Sequence, residues 1–163
     1  MASTPIKHDS NDDIERGQFF LFLNDQPLAF CSDCSLEMTT EEVDVSNKMC
    51  AGNWNVSLPG KKGFTVSAES LITLSDGTMS YDTLLEKQIA GETLDFFFGF
   101  AKATEQTEAG GIFEKDTTKR NYTGKVMITS LSLKSTNGQI ATSSSSFKGV
   151  GALIPVAPVT GGA

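Results

Sequence analysis

The sequence has one histidine, three cysteines and one tryptophan among its 163 residues, and each scarcity narrows what the chain can do. His8 is the sole imidazole, in a polar stretch near the start, so a serine or cysteine nucleophile elsewhere has no histidine base to activate it. The serines around 142–146 lack a GxSxG setting, and GxxxxGK[ST] is absent, which removes the nucleophile elbow and the phosphate loop. Gly60-Lys61-Lys62-Gly63 is half of a phosphate loop at most, and it joins strands rather than a strand to a helix. As an RNA-clamping GxxG it fails on the same ground, since that motif sits between helices. Basic residues are outnumbered, 13 Lys+Arg against 20 Asp+Glu, a formal net charge of −7. Such a surface does not suit binding by phosphate neutralisation. No apolar run approaches the ~20 residues of a membrane span, and Met1 to Arg16 lacks a signal-peptide core. The expectation is a chain without catalytic residues, cofactor, metal or membrane segment.

Cys31-x-x-Cys34 and Cys50 form an odd set. Without a second CxxC, and with only His8 in addition, a four-ligand zinc site is hard to assemble, so reduced thiols are expected. Asp9, Asp12 and Asp13 lack the glycine and terminal glutamate of a calcium-binding hand and read as a solvated acidic arm. Glu41, Glu42 and Asp44 read as strand surface rather than an acid–base pair. A chain of this length buries roughly 70% of its unfolded surface and needs no staples.

What is present is strand alternation. Trp54, Val56 and Leu58, then Phe64, Val66 and Ala68, alternate with polar residues on either side of Pro59-Gly60-Lys61-Lys62-Gly63, which predicts a hairpin with its turn there and Trp54, Val56 and Phe64 in the core. Gln18 to Leu23 is apolar on both faces and predicts a strand covered on both sides. Asn24 to Pro27 should turn it back through Leu28–Cys31. In Ser35 to Val45 the apolar parity switches from Leu36 and Met38 to Val43 and Val45, and a second switch separates Val126 and Ile128 from Leu131 and Leu133. Each calls for a bulge, at Thr39–Glu42 and at Thr129-Ser130. Ser46 to Asn53 reads as a long mobile loop. Ser80 to Ala90 is the one helix, with Ser80 and Gly91 as caps. Leu94 to Phe100 is the best core strand, with Phe96, Phe98 and Phe100 on one face and Gly99 allowing close approach. Ala103 to Lys119 reads as a charged connection, and Asn137-Gly138 as a hairpin turn into a strand from Ile140 to Phe147 whose Thr142–Ser146 tract is polar on both faces. Ala152 to Val159, with two prolines, reads as an extended arm.

Three blocks of this pattern carry a resemblance: Glu42 to Lys48 with Gly52-Asn53-Trp54, Leu58 to Phe64 and Ser67 to Leu71; Tyr122 to Val126 with Ile128 to Leu131; and Ile140 to Thr142 with Phe147 to Leu153. In this order, covering most of Gly17 to Leu153, the chain resembles the major tail tube proteins of long-tailed bacteriophages. The match is weakest in the acidic first arm and in Ala103 to Lys119, and Phe64 stands where the family often has a second tryptophan.

The resemblance implies a mainly β fold, a β-sandwich with one flanking α-helix at about Ser80–Ala90, with an arm at 1–16, the domain at 17–151 and a second arm at 152–163. It implies a structural virion protein, assembled in the host bacterial cytoplasm, whose hexameric rings stack into a hollow tail tube. Strands of all subunits would join one large barrel, and barrels of about twenty strands leave an open lumen. The implied partners are further copies of the chain, a tape-measure protein, and tail tip and terminator proteins, with DNA passing through the lumen without specific binding. On this reading Glu37, Glu41, Glu42, Thr142, Ser144 and Ser146 contribute to the lumen wall, because polar strands make poor core and a DNA conduit should not be basic. Ser46, Asn47, Lys48, Lys61 and Lys62 reach the adjoining ring, toward acidic groups such as Asp12, Asp13, Glu105 or Glu108. Trp54, Val56, Phe64, Phe96 and Phe98 anchor the core. The alternatives are a tube protein of a contractile tail or injection machine, and a monomeric β-sandwich that binds or decorates.

Overall fold

The computed structural model describes residues 19–49, 52, 54–72 and 79–158. The expected first arm, Cys50 and the chain from Val159 onward lie outside the described residues. Eight strands and one helix follow in order: β1 (Phe19–Leu23), β2 (Gln26–Pro27), β3 (Cys31–Asp44), β4 (Ser57–Leu71), α1 (Tyr81–Ala90), β5 (Thr93–Thr107), β6 (Gly110–Lys115), β7 (Asn121–Lys134) and β8 (Thr142–Val156). The strands form an antiparallel sheet in the order β2-β1-β5-β7-β8-β4-β3, with β6 added on β5. The sheet doubles over, since β1 meets β3 and the Cys34 thiol donates to the Phe19 carbonyl at 3.3 Å. The expected sandwich is thus one folded sheet, with α1 packed on β7.

The core lies inside the fold. Leu21 and Leu23 of β1, Phe64, Val66 and Ala68 of β4, Leu94, Phe96 and Phe98 of β5, Val126 of β7 and Phe147 of β8 form one buried cluster with Leu84 of α1. The two faces of the phenylalanine run are both used: Phe96 tilts against Phe64 at 5.6 Å, while Phe97 meets Phe22 edge-on at 5.5 Å under the Lys115 ammonium. Gly99 is approached closely, but by the chain's own Asn121, whose Cβ would lie 2.7 Å from a Cβ at that position. Gly91 ends α1 at φ 72°, in the left-handed region expected of a glycine cap. Both anticipated bulges occur, as register shifts at Thr40/Glu42 and Ile128/Ser130.

Four expectations need correction. Pro59–Gly63 is no turn: β4 runs straight through it, paired with Thr39–Glu42 of β3. There β4 has β3 as its only partner among the described residues, so the missing N–H of Pro59 disrupts nothing on the outer side. Gly60 is needed for space, because a Cβ would come within 2.9 Å of Val43. The true connection of this hairpin is the stretch 45–56. The first hairpin is also tighter than expected. Asn24 and Asp25 take φ of 48° and 66°, the left-handed pair of a two-residue turn, and the return is short, Gln26–Pro27 with one further ladder bond from the Leu28 N–H to the Leu21 carbonyl at 2.9 Å. Most of Ala103–Lys119 is not a connection but the far half of β5 and its return strand β6, and only the residues after Lys115 connect. Finally, Ala152–Val156 is not an arm: β8 continues through it, pairing Ile154 with Thr123 and Val156 with Asn121.

Candidate functional site

Four strands, β7-β8-β4-β3, form a contiguous wall whose two faces differ. Registers place Ser130, Ser146, Ser67 and Ser35 in one cross-strand row, with Ser132, Ser144, Glu69 and Asp33 in the next. Lys148, Thr65 and Glu37 continue the pattern on one side, Lys134, Thr142 and Leu71 on the other. This face is hydroxyl-rich and mixed in charge, and neither ion pair among the described residues lies on it. The opposite face carries Leu36, Val66, Phe147 and Ile128 in one row and Cys34, Ala68, Ser145 and Leu131 in another, and packs into the core.

The serine tract is therefore divided rather than polar on both open faces. Ser143 and Ser145 are buried, and each is satisfied: the Ser143 and Ser70 hydroxyls lie 2.8 Å apart, and the Ser145 hydroxyl donates to the Ala68 carbonyl at 3.4 Å. Thr142, Ser144 and Ser146 share the hydroxyl face with Glu37, as the registers require. Glu41 and Glu42 lie further along β3 and part company. The extra residue of the Thr40/Glu42 shift lies on β4, so β3 alternates unbroken and Glu41 keeps the face of Glu37, whereas Glu42 takes the other face and accepts a hydrogen bond from the Ser57 hydroxyl. Asp33, Ser35, Thr65, Ser67, Glu69, Ser130 and Ser132 are wall residues that sequence reasoning missed. The alternation in 32–38 and 64–70 carried the signal.

Both ends of the wall lack a strand partner among the described residues. β3 pairs only with β4, and Ile128–Lys134 of β7 pairs only with β8, because β5 joins β7 no further along than Met127.

Beyond the point where β8 leaves β4, at Thr65, the β3–β4 pair continues as a projecting two-stranded ribbon. The bulge keeps one ribbon face apolar. Val43 lies opposite Leu58, the Val45 N–H donates to the Val56 carbonyl at 2.9 Å, and Trp54 stands at the tip. None of these is core: Trp54 is 83% and Leu58 55% exposed, and Val56 is exposed as well. Trp54 and Val56 are therefore corrected as core anchors. They lie past the end of the folded sheet, where no layer among the described residues covers them. Phe64, Phe96 and Phe98 are buried.

The connection at the ribbon tip is held by its own polar groups. The Ser46 N–H donates to Asp44 Oδ1 at 2.8 Å, the Val56 N–H to the Ser46 hydroxyl at 2.9 Å, and the Met49 N–H to Asn47 Oδ1 at 2.8 Å. Hydrogen bonds from the Ser46 hydroxyl and N–H hold the Asp44 carboxyl below its ordinary pKa. Ser46 and Asn47 thus shape the loop, whereas Lys48 is exposed at its turn and Lys61 and Lys62 are exposed along β4.

No protein-family model matches the sequence, and no curated protein matches it significantly. Solved structures do match in fold. One is the tail of an empty GTA particle refined with C6 symmetry, at 18% identity and TM-score 0.64, covering 93% of this chain and 100% of that one. Another is the SPP1 tail tube, at 10% identity and TM-score 0.60, covering 90% and 80%. A third belongs to the PVC sheath–tube complex of an extracellular contractile injection system, at 15% identity and TM-score 0.58, covering 91% and 94%. The chain thus has the mainly β fold shared by the tubes of tails and injection systems.

Proposed function

We propose that this chain is a structural tail tube protein, in line with the resemblance of its sequence blocks and with its fold. Copies join side by side into rings, hexameric by analogy with the C6 tail, and the rings stack into a hollow tube. The observation that carries this reading is the four-stranded wall whose edges, among the described residues, carry no strand partner at either end. Pairing β3 of one copy with the Ile128–Lys134 end of β7 in the next satisfies both edges and closes the strands into a barrel. Four strands from each of six copies are enough for an open lumen.

The hydroxyl face then lines the channel. Lys134 and Lys148 are offset there by Asp33, Glu37 and Glu69, so DNA meets a wall that hydrogen-bonds water and does not hold phosphates. The projecting ribbon reaches the adjoining ring. Its apolar face of Val43, Val56, Leu58 and Trp54 docks on a second copy, with Lys48, Lys61 and Lys62 at the rim facing acidic groups such as Glu105 or Glu108. Exposed ion pairs contribute only about 0–1 kcal/mol each, so the apolar face is the stronger attachment. Tail terminator, tip and tape-measure proteins complete the assembly in the virion tail, built in the host bacterial cytoplasm. Related structures come from a tube-terminating cap and a baseplate. The contractile-system match makes the tube of a contractile tail or injection machine the second reading.

Electron microscopy of the purified, concentrated chain tests the proposal. Stacked rings or hollow filaments with six-fold end views are expected. A chain that stays monomeric at every concentration, or assembles without a lumen, overturns it.

A further inference from the structure

Cys31 and Cys34 are placed by the fold in a way their spacing alone does not require. Residues three apart on a regular strand point to opposite faces. Here the register shift between Cys31 and Asp33 absorbs one residue, so Cys31 lies opposite Ser70 and Cys34 opposite Ala68. Those two partners are alternate residues of β4 and share its inward face, so both thiols project the same way. Two strand steps set the Cα atoms roughly 6.6 Å apart, within the range of about 4.4–6.8 Å that a disulfide spans. The Cys31 thiol donates to the Asp33 carbonyl and the Cys34 thiol to the Phe19 carbonyl, each at 3.3 Å. Both are partly exposed and open on a cleft of about 370 Å³ lined also by Phe19, Phe20, Asp33 and Phe98.

We propose that Cys31 and Cys34 are a site of reversible thiol–disulfide exchange with small-molecule disulfides of the glutathione type, forming an intrachain disulfide across the β3 bulge. The site is distinct from the assembly role and does not depend on it. The Cys34 thiol, whose pKa lies below its usual value chiefly because of the neighbouring Cys31 thiol, is the attacking sulfur. As thiolate it takes one sulfur of the oxidised reagent and expels the other as a thiolate. Cys31 then loses its proton to solvent, attacks the Cys34 sulfur and expels the second thiolate. Two protein thiols are oxidised and one small disulfide is reduced to two thiols. Oxidation removes the S–H donor that Cys34 offers Phe19, so the bond that stiffens the β3 edge also releases a tie between β3 and β1.

The sequence provides a direct readout. Between Arg16 and Lys48 there is no lysine or arginine, so trypsin releases Cys31 and Cys34 together in the peptide 17–48, separate from Cys50. After equilibration of the folded chain with a glutathione buffer and acid quench, this peptide is expected to have lost two hydrogens and to resist alkylation until reduced. The folded chain should reach half oxidation at a tenfold or more lower ratio of oxidised glutathione to the square of reduced glutathione than the chain in urea, about 30 mV for two electrons. In Cys31→Ser the same peptide should retain one glutathione on Cys34. A wild-type peptide that stays reduced, or that holds a glutathione adduct at equilibrium, overturns the proposal. So does equal oxidation of folded and unfolded chain, which would mean the fold contributes nothing.

Discussion

The two halves of the β3–β4 pair obey one sequence rule and meet opposite fates. Near the sheet, Leu36 opposite Val66 and Cys34 opposite Ala68 turn their apolar side into the core, beneath β1 and β5. Past the Thr40/Glu42 bulge, Val43 opposite Leu58 repeats the pattern, yet the face lies open. The strands are the same, but the extra residue at the bulge lies on β4, so the apolar side passes to the other face of the pair, where no layer among the described residues covers it. Alternation reports that a face is to be covered, and says nothing about whether the same chain covers it. An apolar face of this kind projecting from a folded body favours association over solution.

Truncating one large side chain in each half is the strongest way to break that comparison. Phe64 is 3% exposed, its ring against Phe96 and so close to Gly149 that a Cβ there would come within 2.3 Å. Phe64→Ala should destabilise the dilute, unassembled chain by about 3–5 kcal/mol in denaturant unfolding. Leu58→Ala should stay within about 0.5 kcal/mol in the same measurement, while sharply raising the concentration needed for filaments seen by light scattering. Comparable losses of stability in the two variants would show that the ribbon face is covered within the chain, and the contrast would collapse.

The same contrast explains what could be read in the sequence. The helix, its glycine C-cap and the places of both register shifts followed from local rules, because parity and left-handed glycine are set by neighbours in sequence, although the Ser80 hydroxyl makes no cap hydrogen bond. Trp54 was misread because burial is a property of layers, and no layer among the described residues covers it. Pro59-Gly60 was misread because a turn signature also suits an outer strand whose free side needs no N–H and whose partner Val43 needs room. The wall row of Asp33, Ser35, Ser67 and Glu69 was overlooked for a different reason. Each residue is an ordinary outward polar position, and only the registers of β3, β4 and β8 bring the row together.

A smaller effect sharpens the comparison inside the wall, between its buried and open serines. Ser70 and Ser143 share a 2.8 Å hydrogen bond in the core, whereas Ser144, one residue on, lies on the open face. Ser70→Ala or Ser143→Ala leaves one buried hydroxyl unpaired and should cost about 1–3 kcal/mol. The double variant should cost clearly less than the sum, since it removes both groups together, and thermal unfolding of the four chains measures that coupling. Ser144→Ala should be near neutral. Additive losses at 70 and 143 would mean that the two hydroxyls do not depend on each other.

The least effect is expected at the ribbon tip, where Asp44 is fully exposed. Its carboxyl accepts from the Ser46 hydroxyl and N–H, and its pKa in the folded chain lies below the ordinary value of 3.8. A depressed pKa means that the folded loop binds the proton more weakly than the unfolded chain does. The contribution is therefore complete above the ordinary carboxylate value and fades as pH falls through the folded one. Amide-exchange protection at Ser46 and Val56, the two N–H groups tied through Asp44 and the Ser46 hydroxyl, should hold steady near neutrality and decline at acid pH. Asp44→Asn keeps an acceptor oxygen without the charge, so its protection should start lower and vary less with pH. If protection in the wild-type chain survives unchanged to the acid limit of folding, Asp44 does not hold the connection, and the shape of the tip rests on Asn47 and the strand pairing alone.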